Sequence, residues 1–482
     1  MYSQTLETLV QDCHGQLRGG NGAIRVARVT TDSRTVRPGD LFVCLRGPRF
    51  DGHRFAAAAL RQGAVAVMGE PDGWPDAADV QPAVMVPETR RALGELAAAN
   101  RQRFAGPVVV VAGSNGKTTT KELVAAVLRQ RFRTVASPAS FNNDIGLPLT
   151  LLELGPDHEA AVVEAGTNHP GELAALLQRA RPTHGVLTRL GREHLEFFGS
   201  FEGVLEEEGA LADFVPAQGA LVLIGDSRGA ERVARRTHAR VVRVGWSPRN
   251  DWSVRVACVS EAGTVFEVQT SRPGFAGDYS LRLLGRHQVE NALLALALGA
   301  ELGLDREAIA AGLASTPGAP RRLQYAVVGG VRVLDDSYNA NADSMRAALE
   351  TLSDVDCPGR RLAVLGDMGE LGDHAAAAHE ETGQEAARRG VDGLYAIGRW
   401  ASVLAAGARA AGLAAVREFA EATAAADALL ADVRPGDVVL VKASRSTRLD
   451  VVADLLKRVL AARQGGDVRR RLEAALEPCS TT

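Results

Sequence analysis

The residues whose types and spacing most clearly indicate chemistry lie in the stretch 108–122. Four valines lead into Gly113-Ser-Asn-Gly116-Lys117-Thr118, and helix-forming residues follow. Glycines let backbone N–H groups surround phosphate oxygens, and a helix that begins here directs the positive end of its dipole at them. The spacing departs from the strict pattern, since Val111 stands where the first glycine is expected. The sequence therefore predicts a phosphate-binding loop, in which Lys117 reaches the terminal phosphates and Thr118 contacts Mg²⁺.

Lysine is scarce in this chain. Of 55 lysine and arginine residues, only four are lysines, namely Lys117, Lys121, Lys442 and Lys457. Where a chain uses arginine for most positive charge, a remaining lysine can be needed for its compact ammonium group, which a planar guanidinium does not imitate. We expect this of Lys117 and Lys442, whereas Lys457, in an amphipathic stretch, is expected on a solvated helix face.

Length and composition limit the possible functions. A chain of 482 residues with 46% hydrophobic residues can bury large cores, and its length favours about three domains. The net charge of −3 provides no basic field for nucleic acid. The five cysteines show no paired spacing, which is typical of a reducing compartment. No signal peptide or membrane-spanning stretch is evident, so we expect a cytoplasmic protein.

The chain divides into three predicted α/β domains. Residues 1–106 alternate short apolar runs with turns and alanine-rich helices, as a small α/β domain does. Residues 107–317 alternate strands and helices in the manner of a mostly parallel sheet that carries the phosphate loop. Residues 318–482 predict an open, doubly wound sheet that binds ligands at the carboxyl ends of its strands. The tail from about residue 464 is polar, with no evident core.

Two polar residues follow consecutive strands of the predicted central sheet. Glu164 ends a buried strand, so its carboxylate should lie beside the phosphate loop, where a Mg²⁺ ligand belongs. His194 follows the next strand and should reach the same cleft. His287 stands just before an apolar helix, and a structural role is the stronger interpretation for it than for Asn291.

Longer motifs carry a family resemblance. They are Thr31-Asp-Ser-Arg34, Phe50-Asp-Gly-His53, the phosphate loop, Ser140-Phe-Asn-Asn-Asp-Ile-Gly, Glu164-Ala-Gly-Thr-Asn, Glu193-His-Leu-Glu196, Gly285-Arg-His and Asp335-Asp-Ser-Tyr-Asn-Ala-Asn341. Together, and in this order, they resemble the Mur ligases over nearly the whole chain. The N-terminal motifs and Asp-Ser-Tyr-Asn-Ala-Asn are similar to those of the members that add D-alanyl-D-alanine.

The resemblance implies a reaction and a set of residues. ATP would phosphorylate the terminal carboxylate of UDP-N-acetylmuramoyl-tripeptide, and the amine of D-alanyl-D-alanine would attack the acyl phosphate, with Mg²⁺ as cofactor. Separately from the resemblance, we expect a monomer. The implied ATP-binding residues are Gly113, Ser114, Asn115, Gly116, Lys117, Thr118, Thr119, Asn291 (at adenine), Arg322 and Asp336. The implied substrate-binding residues are Ser33 and Arg34 (at uridine diphosphate), Asn142, Asn143, Tyr338, Asn339 and Lys442. Domain closure would complete the site and exclude water.

One position departs from the family pattern. Where the family has a lysine carbamylated by CO₂, this chain has Glu208, and no lysine lies between Lys121 and Lys442. Our hypothesis is that Glu208 replaces the carbamate, on an arm shorter by roughly 3–4 Å, and contacts a second Mg²⁺ either through water or after a small backbone shift. The predicted metal set is thus Thr118, Glu164, His194 and Glu208, and the last three with Lys117 are the predicted catalytic residues. Alternatively, Glu206-Glu207-Glu208 is just an exposed acidic helix face.

Other functions remain open at this point. A sister ligase that adds a single amino acid, or a folate- or cyanophycin-type ligase, would share the ATP chemistry but not the N-terminal motifs or the Tyr338-Asn-Ala-Asn341 segment. Amine specificity separates these enzymes. A weakened paralogue that binds UDP-linked precursors without turnover is a third possibility, with the missing lysine as its signature.

Overall fold

The structure, a computed structural model, describes residues 1–74 and 80–476, with side chains as far as residue 463. Three large, mostly parallel β-sheets flanked by helices follow one another along the described chain, and a small two-stranded antiparallel sheet accompanies the first. The predicted fold class, three α/β units with a parallel central sheet and a doubly wound C-terminal sheet, is confirmed. No helix in the described part of the chain has the length and hydropathy that a membrane span requires.

The N-terminal unit has strands β1 (Gln4–Thr5), β2 (Gln16–Arg18), β3 (Arg25–Val26), β4 (Arg28–Thr30), β5 (Asp40–Val43), β6 (Ala66–Gly69) and β7 (Ala83–Met85), and helices α1 (Leu6–Asp12), α2 (Ala56–Arg61) and α3 (Thr89–Gln102). Its sheet has the order β2-β7-β6-β5-β4, with β2 antiparallel to β7, while β1 pairs with β3 in a separate ladder. The parallel strands place the turns after β4, β5 and β6 at one edge.

The central unit has strands β8 (Val108–Ala112), β9 (Thr134–Ala136), β10 (Ala160–Glu164), β11 (His184–Leu187), β12 (Ala220–Ile224), β13 (Arg240–Gly245), β14 (Trp252–Ser260), β15 (Gly263–Thr270) and β16 (Gly277–Leu281). Its helices are α4 (Lys117–Leu128), α5 (Gly146–Leu152), α6 (Glu172–Ala180), α7 (Leu195–Phe198), α8 (Phe201–Gly209), α9 (Leu211–Phe214), α10 (Ala230–Ala234), α11 (Arg286–Glu301) and α12 (Arg306–Ser315). The strand order is β16-β15-β14-β13-β12-β11-β8-β10-β9. Because β8 lies between β10 and β11, the ends of these three strands meet at one point.

The C-terminal unit has strands β17 (Gln324–Val328), β18 (Val331–Asp336), β19 (Arg361–Leu365), β20 (Gly393–Ile397), β21 (Val416–Phe419) and β22 (Val438–Lys442), and helices α13 (Ala342–Asp354), α14 (Ala375–Arg388), α15 (Ala401–Ala410), α16 (Ala422–Asp432) and α17 (Asp450–Leu476). The sheet order is β17-β18-β22-β19-β20-β21, with β17 antiparallel. Helix α17 continues through the predicted tail as far as Leu476, although side chains from 464 lie outside the described residues.

The N-terminal and central units share a hydrophobic core. Leu93, Leu96 and Ala97 of α3 belong to the same buried cluster as Leu151 of α5 and Leu176 of α6. Burial of apolar surface on both sides is the main stabilising contribution to such a contact. Helix α3 therefore fixes the N-terminal unit against the β10 side of the central sheet.

The lysines are engaged rather than solvated. Lys121 is fully buried, and its Nζ donates to the carbonyl oxygens of Ser137 and Ala139 at 2.6 Å each. The expectation that Lys457 lies on a solvated helix face is wrong, because its Nζ lies 2.6 Å from Oδ2 of the buried Asp335. Burying a carboxylate without a cation is costly, so this ion pair compensates Asp335.

Candidate active site

The phosphate loop joins the end of strand β8 to the start of helix α4. Its two glycines have φ angles of +115° (Gly113) and +92° (Gly116), which L-residues rarely adopt. A Cβ on Gly113 would lie 2.4 Å from Oγ1 of Thr188, and one on Gly116 would lie 2.5 Å from Oδ1 of Asn291. Both conformation and space thus require glycine at these two positions.

Helix α4 directs free backbone donors at the cavity described below. The N–H groups of Ser114 and Asn115 donate to the carbonyl oxygen of Arg189 at 3.2 and 3.0 Å. The next four N–H groups, those of residues 116–119, have no partner among the residues that the structure describes. Unpaired donors at a helix N-terminus form an anion site. The backbone N–H groups that can bind phosphate are therefore those of residues 116–119 and not those of the whole loop.

Lys117 lies folded over its own loop. Its Nζ donates to the carbonyl oxygens of Gly113 at 2.5 Å and Ser114 at 3.3 Å. Carboxylate oxygens of Glu193 and Glu208 lie 3.6 and 3.9 Å from the same atom. Burial acts to lower the pKa of Lys117, but these carboxylates hold it above its ordinary value. The side chain is therefore charged, and a rotation of its flexible stem would carry the ammonium towards a phosphate.

Glu208 is buried behind the loop rather than exposed on helix α8. Its Oε2 accepts the N–H of Gly113 at 2.7 Å, while its Oε1 has no hydrogen-bond partner among the described residues. Burial raises the pKa of Glu208 to about 8, against the opposing effect of Lys117. Glu207 is also buried and accepts the N–H groups of Gly171 and Leu173. The alternative of an exposed acidic face is wrong for both residues.

Thr118 and Glu164 form an oxygen-rich pair beside the loop. Oγ1 of Thr118 donates to Oε1 of Glu164 at 3.2 Å, and Nδ2 of Asn142 donates to the same oxygen at 2.9 Å. Oε2 of Glu164 is buried without a partner in the described structure. Mg²⁺ is bound through one or two carboxylates together with phosphate oxygens and water, so this pair fits the ion. Among the side chains of residues 1–74 and 80–463, no group of three or more acidic, histidine or cysteine residues is arranged to hold a metal.

The other two predicted metal ligands are engaged differently. The ring of His194 contacts the carboxylate of Glu370 from the C-terminal unit through Nδ1, and its Nε2 lies 3.8 Å from Glu193. Glu208 faces Gly113 and does not line the cavity. The structure thus brings Thr118 and Glu164 together and places His194 and Glu208 against other groups.

The C-terminal unit contributes a second charged wall. Nζ of Lys442 lies 2.6 Å from Oδ2 of Asp336 and donates to the carbonyl oxygen of Asn339 at 3.0 Å. Burial raises the pKa of Asp336 despite the opposing effect of Lys442. The guanidinium of Arg322 lies 4.3 Å from the ring centroid of Tyr338. Arg322 has no carboxylate partner among the described residues, so its charge is available to an anionic ligand.

Hydrogen bonds join the C-terminal unit to the phosphate-loop side. The hydroxyl groups of Ser140 and Tyr338 contact each other, and Nδ2 of Asn341 donates to Oδ1 of Asn115 at 2.9 Å. Asn341 also caps helix α13 together with Ser344. The segment 336–341, which begins at the last residue of β18, therefore positions the C-terminal unit over the phosphate loop of the central unit.

The predicted adenine side lies at the start of helix α11. Asn291 is buried, and its Nδ2 donates to Oε1 of Gln288 at 2.9 Å. Nε of Arg189 donates to Oε2 of Glu290 at 2.9 Å next to it. Burial lowers the pKa of His287 to about 4, with Lys442 and Arg189 adding to the effect, so this imidazole is neutral.

One cavity of about 780 Å³ unites these groups between the central and C-terminal units. Sixteen predicted site residues line it: Ser114, Asn115, Gly116, Lys117, Thr118, Thr119, Asn142, Asn143, Glu164, His194, Asn291, Arg322, Asp336, Tyr338, Asn339 and Lys442. Gly113 and Glu208 support it from behind. Ser33 and Arg34 lie in the N-terminal unit, in a short turn after β4, where Arg34 donates to Asp32 at 2.9 and 2.7 Å. The structure does not bring this pair to the cavity.

Several lining residues were not among the predicted site residues. Glu193 lies beside Lys117, and Asp343 accepts the N–H of Arg192 at the unit boundary. Arg179 lines the far side of the cavity from helix α6. The sequence could have indicated Glu193, because it directly precedes His194. Arg179 has no such sign, since its sequence context is that of an ordinary polar residue on a helix.

Comparison with known proteins places these features in a family. The model of the Mur ligase family catalytic domain matches residues 25–101, that of the Mur ligase middle domain residues 111–299, and that of the Mur ligase glutamate ligase domain residues 321–445. The chain is 37% identical over 95% of its length, and 99% of the relative's, to UDP-N-acetylmuramoyl-tripeptide–D-alanyl-D-alanine ligase of Escherichia coli. It is 33% identical to the enzyme of that name from Bacillus subtilis, covering 90% and 94% of the two chains.

Solved structures agree with the sequence relatives. A crystal structure of MurF from Acinetobacter baumannii superposes with a TM-score of 0.85 at 29% identity, covering 95% of this chain and 99% of that one. MurF from Thermotoga maritima in complex with ADP gives a TM-score of 0.78 at 29% identity, with coverages of 91% and 99%. The matched ranges contain the phosphate loop, Glu164 and the Asp336–Lys442 pair. The chain belongs to the Mur ligase family.

Proposed function

We propose that this chain is an ATP-dependent ligase that joins D-alanyl-D-alanine to UDP-N-acetylmuramoyl-tripeptide in peptidoglycan precursor synthesis. The relatives named for this reaction span nearly the whole chain at 33–39% identity. The observation that carries the proposal is the single cavity in which the phosphate loop faces the segment 336–341 of the C-terminal unit. We place the reaction in the cytoplasm, where ATP is available, and propose a monomer, since one chain lines the cavity.

The first step is transfer of the γ-phosphoryl group from ATP to a carboxylate oxygen of the tripeptide, with ADP as the leaving group. Such transfer depends mainly on positioning and charge neutralisation. The free N–H groups of residues 116–119 and the Lys117 ammonium hold the phosphate chain. Arg322 approaches from the opposite wall, and its guanidinium has no carboxylate partner in the described part of the chain. Positive groups thus surround the phosphate from two units.

Thr118 and Glu164 are the residues that would hold Mg²⁺, which supplies charge neutralisation at phosphate oxygens when bound. Asn142 orients the Glu164 carboxylate by its bond to Oε1 and leaves Oε2 free. We propose His194 as a group that joins this site to the C-terminal unit through Glu370. Glu208 stays a predicted catalytic residue that acts from behind the loop.

The second step is attack of the dipeptide amine on the acyl carbon, with loss of phosphate. The acyl phosphate is sensitive to water, so closure of the cavity matters. The Asn115–Asn341 and Ser140–Tyr338 contacts close the loop side. Lys442 fixes the backbone of Asn339 and so positions the segment next to the reacting carbonyl.

The test is phosphate release from ATP in the presence of UDP-N-acetylmuramoyl-tripeptide, with D-alanyl-D-alanine, D-alanine or L-amino acids added in turn. Release that depends on the dipeptide supports the proposal. Release with a single amino acid would indicate a sister ligase. Tight nucleotide binding without release for any amine would reject the ligase and favour a binding paralogue.

A further inference from the structure

Arg179 is a half-buried arginine on the cavity side of helix α6. Its neighbours on this face, Glu172, Ala175 and Leu176, also line the cavity. The only hydrogen bond of its guanidinium within the described structure runs from Nη1 to the carbonyl oxygen of Ala175, at 3.1 Å. No carboxylate in that part of the chain lies within ion-pair distance of it. Arginines that are removed from water are usually paired with a carboxylate. The missing counterion of Arg179 therefore leaves its charge available to an anionic ligand in the cavity.

The N-terminal unit makes room for this side chain. Gly94 lies in the middle of helix α3, where glycine is a poor helix former. A Cβ at Gly94 would lie 2.4 Å from Nε and 3.0 Å from Cδ of Arg179. Helix α3 therefore has its weakest helix former at the point where the guanidinium crosses it.

The position of Arg179 separates it from the nucleotide. The predicted adenine side at α11 packs with α4 on one face of the central sheet, whereas α6 packs on the opposite face. The N-terminal unit, which carries the predicted uridine diphosphate residues, packs against this second side through α3. A UDP-linked peptide that runs from the N-terminal unit to Lys117 would enter the cavity on the side that α6 lines.

From these observations we infer that Arg179 binds a carboxylate of the acceptor peptide other than the one that is phosphorylated. This inference rests on the proposed function and names a specificity determinant within it. A guanidinium binds a carboxylate through two parallel N–H···O bonds, and Nε and Nη2 of Arg179 have no acceptor among the described residues. Two sources share the chemistry: the free carboxylate of the second residue, and a side-chain carboxylate of the third residue when that residue is diaminopimelate.

Calorimetry with the full-length protein tests the inference without requiring turnover. The titrants are UDP-N-acetylmuramoyl-tripeptides that end in diaminopimelate or in lysine. The variants are Arg179→Gln, which removes the charge, and Gly94→Ala, which keeps the charge but displaces the guanidinium. Arg131→Gln is the control for charge removal, because the exposed Arg131 also donates only to a carbonyl group of the described residues, that of Gly303, and lies outside the cavity.

We expect Arg179→Gln to weaken tripeptide binding roughly 10- to 100-fold, as loss of a charge-assisted hydrogen bond does. Gly94→Ala should also weaken tripeptide binding. ATP affinity should stay unchanged in both variants, the thermal midpoint should stay unchanged in Arg179→Gln, and Arg131→Gln should bind both ligands as the wild type does. A loss confined to the diaminopimelate peptide identifies the third residue as the source, and an equal loss for both peptides identifies the second. Wild-type tripeptide affinity in Arg179→Gln would overturn the inference.

The proposed function can fail separately from this inference. If the wild-type protein binds the tripeptide but releases no phosphate with any amine, the ligase is rejected, while the effect of Arg179→Gln on binding still decides the role of Arg179. A parallel loss of ATP binding and thermal stability in Arg179→Gln would show a structural role and also overturn the inference.

Discussion

Truncation of Glu208 tests whether this carboxyl group supports the phosphate loop. In Glu208→Ala, the buried N–H of Gly113 loses an acceptor at 2.7 Å, which costs about 1–3 kcal/mol. The lost methylene adds about 1 kcal/mol, so we expect a destabilisation of about 2–4 kcal/mol. In Glu208→Gln the amide oxygen still accepts this N–H. Burial already disfavours the negative charge of Glu208, whose pKa is raised to about 8, so glutamine, which removes only that charge, should cost less than about 1 kcal/mol.

The two variants also separate loop support from metal binding. Titrations with an ATP analogue at several Mg²⁺ concentrations, together with urea unfolding, measure both effects. Loop support predicts a roughly 10- to 100-fold loss of nucleotide affinity in Glu208→Ala and near wild-type behaviour in Glu208→Gln. If Glu208 contacts a metal, Gln should be as damaging as Ala and should shift the Mg²⁺ dependence. An alanine variant with wild-type affinity and unfolding midpoint would refute the reasoning.

Three further outcomes are expected. Lys442→Met should destabilise the protein by about 3–5 kcal/mol in urea unfolding, because it leaves the Asp336 carboxylate buried without a cation. Asn341→Ala should cost about 1 kcal/mol through loss of the α13 cap, and should weaken nucleotide binding through loss of the bond to Asn115, both measurable by calorimetry. The pKa of His287 is lowered to about 4, so the folded protein binds fewer protons than the unfolded chain between pH 4 and 6.5. The free energy of unfolding should therefore fall as pH drops from 6.5 towards 4, because the buried imidazole of His287 resists protonation, and should show no such loss above pH 6.5. The variant His287→Gln should flatten this part of the pH–stability profile.

Features encoded by neighbouring residues could be predicted from the sequence. The valines before Gly113 specify a buried parallel strand, and the glycines and Lys117 that follow specify the loop. Glu164 was predicted beside this loop because parallel strands end at a common edge, and it lies there, 3.2 Å from Thr118. The antiparallel extension β14–β16 was not predicted, since its strands are half exposed and lack the continuous apolar runs of the central sheet.

Contacts between distant residues could not be predicted in this way. Glu208 and Gly113 are 95 positions apart, so only the tertiary fold decides that the carboxylate faces the loop. The Lys457–Asp335 pair spans 122 positions, and an amphipathic pattern gives no sign of it. Arg179 is the same case, because the glycine that accommodates it belongs to another unit.

The burial of the lysines has a practical consequence for chemical labelling. Exposed side-chain fractions are 13% for Lys117, 0% for Lys121, 2% for Lys442 and 25% for Lys457, and each ammonium is engaged by oxygen atoms. An amine-reactive reagent therefore meets almost no free target on the folded surface apart from the N-terminus. Acylation of Lys117 or Lys442 then reports opening of the cavity between the units, and its rate in the presence of nucleotide would measure how firmly the two units stay together.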